Sequence, residues 1–107
     1  MVKGIGVDLA QLSRFVNKDE KFVAKILTSN EIAQYQKLTS ERKVEYLAGR
    51  FAAKEAYYKA QNNVKIGYHD VEILDDYFKG PVINNPKAKI SISHDGDYVV
   101  ALVVVEE

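Results

Sequence analysis

The sequence predicts an α+β domain. Three observations carry that expectation. Val2 to Leu9 alternates as a strand at the start of the chain; helical spacing fills most of the first half; and an alternating run and a nearly all-apolar run meet at Asp95-Gly96 as a closing hairpin. The 107 residues suit one domain, residues 1–107, and no repeat or low-complexity tract divides them.

In the opening strand Ile5, Val7 and Leu9 share one face, and Gly4, Gly6 and Asp8 share the other. Glycine weakens a strand, so this pair marks a close approach by another backbone or a ligand. Asp8 is then a carboxylate at the strand's end, where an Asp read alone more often caps the next turn. Residues 10–27 read as helical, in two pieces with a break near Asn17. Arg14, Lys18, Lys21 and Lys25 would form one basic stripe on a continuous helix, either a solvated face or a docking face for an acidic partner.

Thr28 and Glu31 have the spacing of a capping box, and a short helix runs from there to about Leu38. A long helix follows over residues 40–61, with Ser40 as its cap and Glu41 in its first turn. Leu47, Phe51 and Tyr58 fall on one face, while Ala48, Gly49, Ala52, Ala53, Ala56 and Ala60 are small enough for another backbone to come close. Glu55 precedes Lys59 by one turn, and Arg50 precedes Lys54 likewise. Such pairs are usually surface ion pairs; the sharper alternative is a carboxylate metal ligand beside a cation that receives phosphate.

Asn62-Asn63 and Gly67 end the helix. Asp70 to Leu74 reads as a strand with Val71 and Ile73 on one side, and the turn-rich Asp75–Pro86 holds a short strand at Val82-Ile83. In the hairpin Ile90 and Ile92 point inward. Tyr98 to Val105 is nearly all apolar, which predicts a central strand buried on both faces.

Fifteen basic and fifteen acidic residues cancel, so binding of long nucleic acid is not favoured. The absence of Cys excludes disulfides and thiolate chemistry. The N-terminus lacks the pattern of a signal peptide and no apolar run reaches membrane-spanning length, so a cytoplasmic protein with no membrane partner is expected.

Three segments then change the reading: Gly4-Ile5-Gly6-Val7-Asp8-Leu9, Phe51-Ala52-Ala53-Lys54-Glu55-Ala56-Tyr57-Tyr58-Lys59-Ala60 and Ile90-Ser91-Ile92-Ser93-His94. In order and spacing they resemble the holo-(acyl-carrier-protein) synthases, small bacterial 4′-phosphopantetheinyl transferases. The likeness takes in Ile26-Leu27-Thr28, Glu45 to Arg50 and His69 to Ile73, and so spans nearly the whole chain. It implies the 4′-phosphopantetheinyl transferase-like fold. It also implies transfer of phosphopantetheine from coenzyme A to a serine of apo acyl carrier protein, with release of adenosine 3′,5′-bisphosphate, for fatty acid synthesis. A divalent cation, usually Mg²⁺, is required. The family's metal-binding aspartate falls on Asp8 and its glutamate on Glu55, and with Lys59 these make the catalytic set. Glu55 is the candidate base for the serine hydroxyl, directly or through a water; a water held by Asp8 is the second choice. Coenzyme A contacts fall on Lys59 near the pyrophosphate and on Arg42, Arg50 and His94 around the 3′-phosphate; carrier docking falls on Arg14, Lys21 and Lys25. The resemblance further implies a homotrimer with active sites between subunits. Two positions depart from the family pattern. Tyr58 stands where a small residue, often Ser, is usual, and Gln61 to Gly67 replaces a Gly-Thr-Gly loop. These departures motivate a second reading, a carrier-binding module without coenzyme A binding.

Overall fold

The computed structural model describes residues 1–62 and 66–107. The departure from the Gly-Thr-Gly loop falls largely on residues 63–65, outside the described residues. Strand β1 (Val2–Gln11) opens the chain. Three α-helices follow: α1 (Glu20–Ile26), α2 (Ser29–Tyr35) and the long α3 (Ser40–Ala60). Strands β2 (Ile73–Asp76) and β3 (Gly80–Ile83) pair as a small sheet, and β4 (Ala88–Asp95) and β5 (Tyr98–Glu106) end the chain. The main sheet is antiparallel in the order β1-β5-β4.

The register pairs Gly6 with Val103 and Asp8 with Ala101, so Gly4, Gly6, Asp8 and Ala10 share the inner face with Val99, Ala101, Val103 and Val105. α3 lies across that face. Its Ala52, Ala53, Ala56 and Ala60 are buried on the side that meets the sheet, and Leu47 and Ala48 are buried in the same core. The glycines of β1 meet the helix backbone itself. A Cβ on Gly4 would lie 1.8 Å from the Ala60 carbonyl oxygen, and one on Gly6 would lie 1.8 Å from that of Ala56. The expected close approach is therefore a strand against a helix, and no side chain fits between them.

The outer face of the same sheet is different. Ile5, Val7 and Leu9 are 63%, 53% and 64% exposed, and Leu102 beside them on β5 is 42% exposed. The central position of β5 agrees with the sequence, but burial on both faces does not. The chain supplies one covering layer, α3, and alternate residues of the apolar run face outward.

Residues 10–27 also depart from the expected helices. β1 continues to Gln11, a 3₁₀ turn covers Leu12–Phe15, and Asn17 (φ 57°) breaks the chain before α1, which Asp19 caps. The cause is distant in sequence. Asp97, in the β4–β5 turn, accepts from the Leu12 amide at 2.7 Å through its carbonyl; its carboxylate accepts from the Ser13 amide at 3.0 Å and hydroxyl at 2.9 Å. The expected basic stripe is split: Arg14 lies on the 3₁₀ turn, Lys18 precedes α1, and Lys21 and Lys25 lie on it.

Smaller differences have local causes. Thr39, not Ser40, caps α3; Thr39 is extended and its hydroxyl accepts from the Arg42 amide, while Ser40 is already helical. α2 stops at Tyr35, and the amides of Lys37 and Leu38 close tighter turns instead. Tyr68–Asp70 forms a 3₁₀ turn before β2, though Val71 and Ile73 are both buried as expected.

One charged pair is buried among these elements. The Lys54 ammonium donates to Glu31 Oε1 at 2.6 Å, to the Ile26 carbonyl at 2.7 Å and to the Tyr68 carbonyl at 2.9 Å. All three of its protons are thereby used. Glu31, as the capping box requires, accepts from the Thr28 amide, and its other oxygen accepts from the Ile73 amide at 2.7 Å. The end of α1, the start of α2, the 3₁₀ turn and β2 are thus tied to one point on α3. Burial pulls the Lys54 pKa down from its ordinary value, while bonding to Glu31 opposes the fall.

Candidate active site

Because the Gly4 and Gly6 positions lie against α3, Asp8, next on that face, is carried to the side of the helix. The Lys59 ammonium donates to Asp8 Oδ1 at 3.1 Å and to the Val7 carbonyl at 3.0 Å. The Asp8 side chain is 17% exposed and that of Lys59 50%, so the pair faces an open corner. Glu55, one turn earlier, accepts from the Tyr68 hydroxyl at 3.2 Å. The Tyr68 pKa is raised, first by burial, then by Glu55 and then by Asp8. Lys59 ties Asp8 to α3 one turn beyond Glu55, so the three side chains neighbour one another at one corner.

Tyr68 is the member of this corner that the sequence reading does not single out. It arrives from a turn beyond the end of α3, and no periodicity links it to Glu55. A cavity of about 190 Å³ adjoins it, lined by Glu55, Tyr58, Ile66, Gly67, Tyr68 and Val71. Tyr58 packs half-buried into that wall.

Among the described residues, no group of three or more His, Asp and Glu side chains is placed to enclose an ion. Asp8 and Glu55 offer two carboxylates, a hard-oxygen donor set. It fits Mg²⁺, which keeps several waters and takes further ligands from substrate phosphates.

Arg42, Arg50 and His94 gather elsewhere. They line a second cavity of about 190 Å³ with Glu45, Tyr46 and Asp75, toward the start of α3. Arg50 is only 4% exposed. Its Nε donates to the Ile73 carbonyl and its Nη2 to Asp75 Oδ1, both at 2.9 Å, and its guanidinium carbon lies 4.0 Å from the centre of the Tyr46 ring. Burial pushes the Tyr46 hydroxyl up to about 12, with Arg50 opposing. His94 Nε2 lies 3.5 Å from Glu45 Oε2. Arg42 is exposed and its side chain makes no hydrogen bond among the described residues.

Arg14, Lys21 and Lys25 are all exposed. Phe15 joins their two elements, packing edge-on to Phe22 of α1 at 6.3 Å and against Phe51 of α3 at 5.3 Å. No helix among the described residues is long and apolar enough to cross a membrane.

Comparison with known proteins gives the class first. The family model described as the 4′-phosphopantetheinyl transferase superfamily matches residues 4–103. The particular family follows from the relatives. Holo-(acyl-carrier-protein) synthase of Anoxybacillus flavithermus is 42% identical, over 99% of this chain and 97% of its own. Among solved structures, the synthase of Bacillus anthracis in complex with CoA (3′,5′-ADP) superposes with a TM-score of 0.86 at 36% identity, covering 98% of this chain and 96% of that one. The synthase of Neisseria meningitidis gives 0.88 at 30% identity over the whole of both chains. The chain belongs to the holo-(acyl-carrier-protein) synthases of the 4′-phosphopantetheinyl transferase superfamily, and is an enzyme of that family.

Proposed function

We propose that this chain, as a single domain of residues 1–107, transfers 4′-phosphopantetheine from coenzyme A to a serine of apo acyl carrier protein. The reaction depends on Mg²⁺, releases adenosine 3′,5′-bisphosphate and supplies holo carrier for fatty acid synthesis in the cytoplasm. The observation that carries this reading is the contact of Lys59 with Asp8, one helical turn from Glu55.

Asp8 and Glu55 would hold the cation, which when bound offsets negative charge on the pyrophosphate. Lys59, half exposed on the same corner, supplies a further positive charge toward the phosphates. The serine oxygen forms a bond to the β-phosphorus, the bond between that phosphorus and the bridging oxygen breaks, and adenosine 3′,5′-bisphosphate leaves. Glu55 accepts the hydroxyl proton, directly or through a water. Arg42 and His94 offer positive charge for the 3′-phosphate, with Arg50 as the fixed back wall of their cavity. Arg14, Lys21 and Lys25 offer an exposed basic face to the acidic carrier.

Arg50 and Glu55 lie five residues apart on one helix, so they point about 140° apart around its axis. A donor spanning both sites is more simply served by two copies of the chain. The outer sheet face, with Ile5, Val7, Leu9 and Leu102 exposed, supports the homotrimer with shared active sites. The test is direct: apo carrier protein, coenzyme A and Mg²⁺ are incubated with the enzyme and the carrier is weighed by mass spectrometry. A phosphopantetheine mass gain that chelator abolishes is expected; no gain at saturating coenzyme A refutes the reading. Tyr58 in the wall beside Glu55 favours the second reading, a carrier-binding module, which calorimetry would identify by carrier binding without Mg²⁺-dependent coenzyme A binding.

A further inference from the structure

We infer that Tyr68 is a positioning residue that restricts Glu55 to one oxygen toward the cation and thereby sets which cation the corner prefers. The inference rests on the reading of Glu55 as a metal ligand. A carboxylate can bind through one oxygen or both. Ca²⁺ accepts both, with a high and variable ligand number, whereas Mg²⁺ demands near-octahedral geometry from few protein oxygens. Among the described residues Tyr68 is the one side chain that donates to Glu55, and it donates to Oε1. That bond takes one lone pair of Oε1 and leaves Oε2 as the freer oxygen for the ion. Asp8 is held in the same manner, with Lys59 on its Oδ1.

The phenol is placed independently of Glu55. Its backbone carbonyl accepts from the buried Lys54 ammonium at 2.9 Å. The turn that carries it is closed twice, by the Asp70 amide donating to the Gly67 carbonyl at 3.0 Å and by the Gly67 amide donating to Asp70 Oδ2 at 3.1 Å. Its ring packs against Phe51 with centres 6.1 Å apart. A donor fixed this way orients the carboxylate, as outer partners of metal ligands commonly do. The role is distinct from catalysis, because Tyr68 acts through Glu55.

The test uses Tyr68→Phe, which keeps the ring and removes one hydroxyl. Mn²⁺ binding to the full chain with saturating coenzyme A is read from the free-ion electron paramagnetic resonance signal, and Mg²⁺ and Ca²⁺ are titrated in as competitors. Tyr68→Phe should weaken Mn²⁺ binding by about tenfold and move the competition toward Ca²⁺ by about threefold or more. Unchanged affinity and unchanged Mg²⁺/Ca²⁺ order would overturn the inference while leaving the metal site intact. Mn²⁺ binding that Glu55→Gln does not weaken would overturn the metal-ligand reading itself, and the inference with it. A tyrosine ultraviolet difference band on Mn²⁺ addition, present in the unaltered chain and lost in Tyr68→Phe, provides a readout that does not need turnover. If that band is absent from the unaltered chain, the inference fails whatever the stability of the variant.

Discussion

Two groups of charged residues on α3 are treated in opposite ways. Toward its C-terminal end, Asp8, Glu55 and Lys59 stand at an open corner, Lys59 half exposed and bonded to Asp8 and the Val7 carbonyl, Glu55 bonded to Tyr68. At its midpoint, Arg50 is buried, stacked and bonded to the Ile73 carbonyl and Asp75. The first arrangement leaves charge available for something outside the chain, and the second consumes charge in holding β2 to the helix. A charged residue's position on a helix therefore does not reveal its use; what surrounds its head group does.

Four substitutions and one titration would break or sharpen that contrast. Glu55→Gln should lower kcat by about 10²–10⁴-fold with an unchanged melting temperature; loss of stability with retained turnover would mean that Glu55 belongs to the scaffold. Lys54→Met leaves Glu31 charged and buried without its partner, and should cost about 3–5 kcal/mol in urea unfolding. A loss below 1 kcal/mol would show the pair to be dispensable. Arg50→Lys removes the planar fork that reaches both the Ile73 carbonyl and Asp75, and should cost about 1–3 kcal/mol. Arg42→Ala, at the exposed rim of the same cavity, should leave stability alone and raise the KM for coenzyme A; equal stability losses in the two arginine variants would erase the distinction between wall and rim. The smallest effect is at alkaline pH. Tyr46 ionises near 10 in the unfolded chain but at about 12 when folded, so its contribution to stability is intact below pH 10 and is lost as pH rises to about 12. Tyr46→Phe should flatten that decline in denaturation curves recorded across the interval.

Much of this was legible in local pattern. The capping box at Thr28 and Glu31, the hairpin, the alternation of β1 and the close approach at Gly4 and Gly6 all depend on neighbours within a few residues or on the lack of a side chain. The motifs also directed attention to Asp8 and Lys59, which are in contact, and to Glu55 one turn away. What was not legible depends on contacts between distant segments. Asp97 turns residues 12–15 away from an α-helix across 84 positions of sequence. Lys54, which by spacing alone would be one more surface cation, is drawn inside because Glu31 and two backbone carbonyls meet it there. Tyr68 reaches Glu55 from a turn with no patterned relation to the helix, and the outward side of β5 is exposed because the described residues place no second layer over it.

At Gly4 and Gly6 the seam between β1 and α3 is spaced by main-chain atoms, with hydrogens where methyl groups would otherwise intrude. Elsewhere in the interior, a larger or smaller side chain shifts its neighbours by altering the volume between layers. At this seam there is no such volume to alter. The separation of Asp8 from the helix is thus insulated from drift in core composition, and relatives could exchange most of their packing residues while the two carboxylates keep the same gauge.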